Sequence, residues 1–144
     1  MQFIVKKFEE LTLDELYEIL KIRVNVFVVE QKCAYQELDE KDRQSLHLYL
    51  RDSNGIQAYL RILPAGLSYK EVSIGRVLTL KRNNGFGREI LKEGIKIARE
   101  KLQAREIRIG AQVYAKGFYE KFGFQQASKE YLEDGILHIQ MLLQ

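Results

Sequence analysis

The chain has 144 residues, 46% hydrophobic and 30% charged, with a formal net charge of +3, which fits one soluble globular domain over residues 1–144. Its single cysteine, Cys33, excludes an internal disulfide and a zinc cluster, so no metal is expected, and its scattered charge lacks the basic stripe of a nucleic-acid-binding face. No apolar run nears the roughly 20 residues that span a bilayer, and the segment 1–7 carries no signal-peptide core, so a cytoplasmic protein away from membranes is expected.

Residues 3–8 read as a first strand. Thr12 and Glu15 then form a capping box ahead of Leu13, Leu16, Tyr17, Leu20, Val24 and Phe27; that spacing predicts a helix over 13–27. The run 26–31 is too β-branched for a comfortable helix end, and 33–43 is polar and acidic, a loop. Alternation over 45–52, the turn at Asn54-Gly55 and the returning Ala58, Leu60 and Ile62 predict a hairpin. A third strand over 71–80 completes an antiparallel meander, with a bulge expected at Gly75.

After a glycine-containing loop, Phe86, Ile90, Leu91, Gly94, Ile97, Ala98 and Leu102 line one face of a long helix. A strand over 105–113, a short helix over 115–122 ended by Gly123, and a hairpin around 133–135 close the chain. The order is β-α-β-β-β-α-β-α-β-β, an α/β (α+β) arrangement. The strand–helix–strand portion needs a crossover, so the sheet is mixed.

The junction at residues 82–88, Arg82-Asn83-Asn84-Gly85-Phe86-Gly87-Arg88, follows a strand and opens a helix. Amide N–H groups and the positive end of the helix dipole converge there, which suits a phosphate. Gly85 and Gly87 permit close approach, and Arg82 and Arg88 add charge. A P-loop needs Gly-x-x-x-x-Gly-Lys-Ser/Thr, which is absent, and a dinucleotide fingerprint needs a small residue where Ile90 stands.

The junction resembles the R/Q-x-x-G-x-G/A pyrophosphate loop of the GNAT N-acetyltransferases, which bind acetyl-coenzyme A. A second segment, Ala115-Lys-Gly-Phe-Tyr-Glu-Lys-Phe-Gly-Phe124, resembles the A-x-x-F-Y-e-k-x-G-F segment of the same family at the right distance from the loop. Arg23-Val-Asn-Val-Phe-Val-Val-Glu-Gln31 is similar to the R-x-x-V-F-V-x-E-Q opening of the ElaA-like branch; Gly75-Arg76-Val77 and the run from Asp134 to Ile139 also resemble that branch. The resemblance implies a GNAT fold: a mixed, mostly antiparallel central sheet with two splayed strands and flanking helices. It implies acetyl-CoA as co-substrate, held by residues 82–88 and by the backbone of Val77, Leu78 and Thr79. Gln112 stands where the family often has Asn, an amide on a longer arm that could reach pantetheine.

Tyr119 falls where the family often carries a tyrosine that meets the coenzyme A sulfur. A phenol with a pKa near 10 can protonate a departing thiolate while staying neutral at physiological pH. Phe118, Phe122 and Phe124 read as core. The first helix and the loop after it wall the acceptor pocket in this family, which makes Arg23, Glu30, Asp39 and Asp42 candidates there. Glu30 or Asp39 could contact an amine, and Arg23 or Arg76 could pair a carboxylate; each has the competing reading of a solvated or structural ion pair. Of the two histidines, His138 is preferred to His47 as general base, because it follows the last hairpin turn. Cys33 reads as a small buried apolar residue rather than a nucleophile.

The function expected from the resemblance is direct transfer of acetyl from acetyl-CoA to an amine in a ternary complex. A non-catalytic acyl-CoA-binding or regulatory module on the same fold is the alternative. The acceptor, whether small metabolite, polyamine, peptide N-terminus or protein lysine, stays open, as does oligomeric state, a homodimer included.

Overall fold

Two four-stranded antiparallel sheets meet at one seam in this computed structural model, which describes residues 1–144. The first sheet runs in the order β1 (Gln2–Lys7), β2 (Leu46–Asp52), β3 (Gly55–Leu63) and β4 (Ser73–Thr79). In the second, β8 (Ile136–Leu143) lies between β5 (Ile107–Gln112) on one side and the short β6 (Gln125–Gln126) and β7 (Tyr131–Glu133) on the other. The sheets touch through a single parallel bridge, Val72 to Ile107, where the Arg108 N–H donates to the Val72 carbonyl at 3.0 Å. Beyond that bridge β4 and β5 splay apart, as expected.

Strand alternation sorts side chains to two faces. Leu48 and Leu50 of β2 and Ala58, Leu60 and Ile62 of β3 meet Ile90, Leu91, Ile97 and Ala98 of α2 (Phe86–Leu102). Ile107 and Ile109 of β5 and Ile139 and Met141 of β8 extend the same core across the seam. The opposite face carries Tyr49, Ile56, Tyr59 and Leu78 against Ile19 and Ile22 of α1 (Leu13–Val24). Burial of each large apolar side chain contributes roughly 1.5–3 kcal/mol. No helix is long and apolar enough to cross a membrane.

Several elements depart from the sequence expectation. The α-helical hydrogen bonding of α1 ends at Val24, but the coil continues as a π-helical stretch, Asn25–Glu30. The β-branched valines that argued against a helix there are accommodated by its wider turns. The penultimate strand is split into β6 and β7. Between them the Ser128 hydroxyl accepts the Gln140 N–H at 2.8 Å and so takes the place of a ladder carbonyl. The short helix α3 spans Lys116–Glu120 behind a 3-10 turn, Val113–Ala115, and Gly123 closes it at φ 97°. Of the three phenylalanines read as core, Phe124 is fully enclosed, while Phe118 and Phe122 are half-buried.

The bulge in β4 sits one residue beyond its expected position. Pairing with β3 steps from Leu78–Tyr59 to Gly75–Arg61, three residues against two, and the left-handed residue is Arg76 at φ 52°. Simple alternation from Ile74, a core residue, would have aimed Arg76 into the core. The extra residue turns it to the other face, beside the 31–45 loop.

That loop is tied to the sheet by six charges. Arg23, fully buried, bonds Asp42 at 2.6 Å and Glu37 at 3.0 Å; Arg61 bonds Asp42 at 3.0 Å and Asp39 at 2.7 Å. Arg76 pairs with Glu37 and reaches Asp39 at 3.4 Å. Burial acts to raise the carboxyls of Asp39 and Asp42, but the hydrogen bonds and charges of Arg61 and Arg23 outweigh it and hold both below the usual range. Glu15, bonded by Lys6, Thr12 and Tyr49 against a smaller degree of burial, is lowered to about 2.

Two stability measurements test this packing. A Cβ at Gly94 would stand 2.8 Å from a methyl of the fully buried Leu60, so Gly94→Val should cost about 1–3 kcal/mol, read as a lower urea midpoint. Arg23→Met removes a shared cation from Glu37 and Asp42 and should cost about 3–5 kcal/mol by the same readout. The depressed carboxyls of Glu15, Asp39 and Asp42 give stabilisation that is complete above the ordinary carboxylate pKa of about 4. It drains as pH falls below that value, so the wild-type midpoint should drop steeply between pH 4 and pH 2 and stay nearly level from pH 5 to pH 7.

Candidate active site

The end of β4 leads through residues 80–85 into α2. Asn83 and Gly85 hold positive φ, 61° and 79°, and the Asn84 side-chain oxygen accepts the Phe86 N–H at 3.1 Å. Gly85 caps α2, and its carbonyl accepts the Glu89 N–H at 3.1 Å. The N–H groups of Gly87 and Arg88 then lie in the first turn, where no helical carbonyl precedes them. Arg82, Asn83, Asn84, Gly85 and Arg88 are exposed, and nothing lies within 4 Å of the position a Cβ would take on Gly85. Open amides, a bare backbone and two flanking guanidinium groups fit a diphosphate.

From Gly87 a cleft of about 870 Å³ runs along β4 between the splayed strands. Val77, Leu78 and Thr79 line one wall; Ala111, Gln112, Phe118 and Tyr119 line the other. Beyond Val72 no strand pairs with the cleft-facing edge of β4, so its backbone groups are open to an amide-bearing ligand. A cleft of this size lies within the ordinary range for small-molecule sites. No group of three or more histidine, cysteine, aspartate or glutamate side chains is gathered closely enough to hold a metal ion.

Tyr119 is half-buried and its hydroxyl makes no hydrogen bond within the protein. Its ring is held edge-on by Phe118 and Phe124, at centroid distances of 5.2 and 5.8 Å. Burial, with a smaller contribution from Tyr114, pushes the phenol up to about 12, so it keeps its proton through the physiological range.

His138 also lines the cleft. Its Nδ1 lies 2.8 Å from the Ile136 carbonyl, an oxygen that only accepts, so Nδ1 carries a proton and donates. In the neutral ring Nε2 is therefore left with its lone pair, 3.5 Å from a Glu133 carboxylate oxygen that would meet an imidazolium formed there. His47 differs. It is fully enclosed, with Nδ1 2.7 Å from the Tyr59 hydroxyl and Nε2 2.9 Å from the Asp42 carbonyl, and burial lowers its pKa.

The acceptor candidates divide. Asp39 and Arg76 line the cleft, although Asp39 already receives bonds from Arg61 at 2.7 and 2.8 Å. Arg23 does not face the cleft, because the Glu37 and Asp42 carboxylates enclose it completely. Asp42 is buried in the same pairing, and Glu30 projects from the end of the π-helical stretch into solvent, outside the cleft lining. Gln112 donates to the Gln31 side chain at 3.2 Å, and the Cys33 thiol reaches the Asp134 carbonyl at 3.3 Å. Both contacts close the 31–45 loop over the second sheet. Sequence reasoning missed Glu37, Arg61 and Lys41. Arg61 had one signal: a lone charge between Leu60 and Ile62 on a strand buried on both faces.

A family model described as an acetyltransferase (GNAT) domain matches residues 14–144. A UPF0039 protein of Schizosaccharomyces pombe is 40% identical over 148 residues, covering 100% of this chain and 97% of the relative. Protein ElaA of Escherichia coli is 34% identical over 136 residues, 92% of this chain and 89% of the relative, and its crystal structure superposes with a TM-score of 0.92. The crystal structure of an acyl-CoA N-acyltransferase from Pseudomonas aeruginosa gives a TM-score of 0.93 at 34% identity, with 100% of both chains covered. Acyl transfer from a coenzyme A thioester is the general activity of this fold. The chain belongs to the GNAT acetyltransferase superfamily, in its ElaA-like branch.

Proposed function

We propose that the protein moves the acetyl group of acetyl-CoA directly onto a primary amine, with both substrates in the cleft at once. The observation that carries this reading is the Tyr119 phenol, protonated and without a partner, on the wall of a cleft that begins at the open amides of α2. Bound acetyl-CoA supplies an electrophilic thioester carbonyl and a thiol leaving group.

The chain's own residues do the rest. The amides of Gly87 and Arg88, with the side chains of Arg82 and Arg88, take the diphosphate. Asn83, Asn84, Gly85 and Phe86 set the loop's shape, and Gln112 offers an amide from the facing wall. The free edge of β4 at Val77, Leu78 and Thr79 bonds the pantetheine amides and aims a donor at the carbonyl oxygen. His138 accepts the ammonium proton at Nε2, which frees the amine lone pair to form the N–C bond. As the C–S bond breaks, Tyr119 gives its proton to sulfur, and the second proton shed by the new amide nitrogen restores the phenol. Asp39 and Arg76 border the acceptor's place, and Glu133 receives the charge that His138 gains.

Tyr119→Phe should lower kcat by about 10²–10⁴-fold while the coenzyme A Kd shifts less than about threefold, by thiol-release kinetics and calorimetry. An equal loss in both, or none in either, rejects the assigned role. His138→Ala should lower kcat/KM at neutral pH. The deficit should narrow as pH approaches the acceptor's own pKa, where free amine no longer needs a base; a deficit constant with pH rejects His138 as the base.

A further inference from the structure

The acceptor's chemistry is written in a charge imbalance at the cleft wall. Three guanidinium groups, Arg23, Arg61 and Arg76, meet three carboxylates, Glu37, Asp39 and Asp42, so the cluster is balanced. Lys41 adds a fourth cation, and its Nζ meets only the neutral Ser68 hydroxyl, at 2.9 Å. Arg61 is 4% exposed, and its Nε–H is the one buried side-chain polar atom of the chain with no hydrogen-bond partner. A buried donor on a charged group without a protein partner is costly, and an acceptor oxygen brought by a ligand would relieve that cost. Gly75, beside it, also lines the cleft. A Cβ built there would stand 4.0 Å from that nitrogen.

The β7–β8 turn offers the opposite charge. Glu133 and Asp134 line the cleft and are exposed, and Glu133 has only the 3.5 Å approach of His138. The Cys33–Asp134 contact shows that this turn abuts the loop that carries Lys41. Cations with a spare donor stand on one wall and free carboxylates beside the base on another. A ligand that satisfies both bears a carboxylate and an ammonium.

We propose that the acceptor is a free amino acid. Its carboxylate docks on Lys41 and the Arg61 Nε–H, and its amine lies beside His138 and Glu133. The proposal rests on the acetyl-transfer reading and names its substrate class. A polyamine would set a second ammonium against Lys41 and the arginines, and a peptide N-terminus has no carboxylate of its own.

The experiment separates the two readings. Calorimetry on the coenzyme A-saturated protein compares N-acetyl amino acids with the matching N-acetyl amino amides, which lack the negative charge. The acids should bind about tenfold tighter or more, because a hydrogen bond to a charged group is at stake. Lys41→Ala and Gly75→Ala, whose new methyl makes only ordinary contacts with Leu63 and Arg61, should each shrink that ratio to below about threefold. Equal binding of acid and amide, or no binding of either, overturns the anion subsite whether or not turnover occurs. Thiol release is then followed with amino acids and their decarboxylated amines. Preference for the amino acid by about tenfold in kcat/KM supports the proposal, and equal rates overturn it. Thiol release from no amine at all, with the acid-over-amide preference intact, removes the acetyl-transfer reading and leaves the anion subsite standing.

Discussion

The missing ladder between β4 and β5 is the constraint on which the site depends. One parallel bridge at Val72 fixes where the sheets meet, and a clamp holds it: Arg108 bonds both carboxylate oxygens of Glu71 at 3.1 Å and the Gln140 side chain at 3.1 Å. Past this point the strands cannot pair, so β4 exposes a row of unpaired backbone groups inside the protein rather than at its rim. Such an edge is ordinarily a liability. Here it faces a cleft bordered by α3 and the β7–β8 hairpin, and a ligand rich in amides can complete it.

The two ends of the cleft use different physics. At the α2 end the fold offers backbone: free amides, a helix dipole and flexible surface arginines, all suited to a phosphate that arrives with its own charge. At the other end it offers a rigid lattice of side chains, in which Arg61 and Asp39 are fixed by partners on three separate segments. Buried ion pairs of this kind give little net stability, because desolvation offsets the attraction. What the lattice supplies is position: it holds the 31–45 loop, which has no strand or α-helix of its own, against the sheet.

Much of this was legible in the sequence, and the limits are instructive. The glycine loop and the Tyr119 segment are local patterns, so their places at the start of α2 and in α3 depend on residues a few positions apart. They could be read directly, and the hairpin at Asn54-Gly55 formed as its turn residues dictate. The ion lattice was half-read. Asp39, Asp42, Arg23 and Arg76 were singled out as charges near a pocket, but which of them faces the cleft depends on how β3, β4 and a loop from before β2 come together. Arg23 and Glu30 lie only seven positions apart, yet one is enclosed and the other is in solvent. No local pattern records that difference. The shift of the bulge from Gly75 to Arg76 has the same origin: a glycine is the easier residue to place at positive φ, but partners across the loop recruit the arginine.

A left-handed arginine carries a cost of about 1–3 kcal/mol that glycine would avoid. Glu37 and Asp39 offset it by holding the guanidinium, so the kink in β4 persists only while those contacts do. The backbone at Val77 is thereby mechanically linked to a carboxylate two strands of chain away. Loss of the Arg76–Glu37 contact would leave the left-handed residue without its offset, and the bulge beside Val77 would lose its support. The course of the strand beside the cleft therefore depends on one side chain anchored outside the sheet.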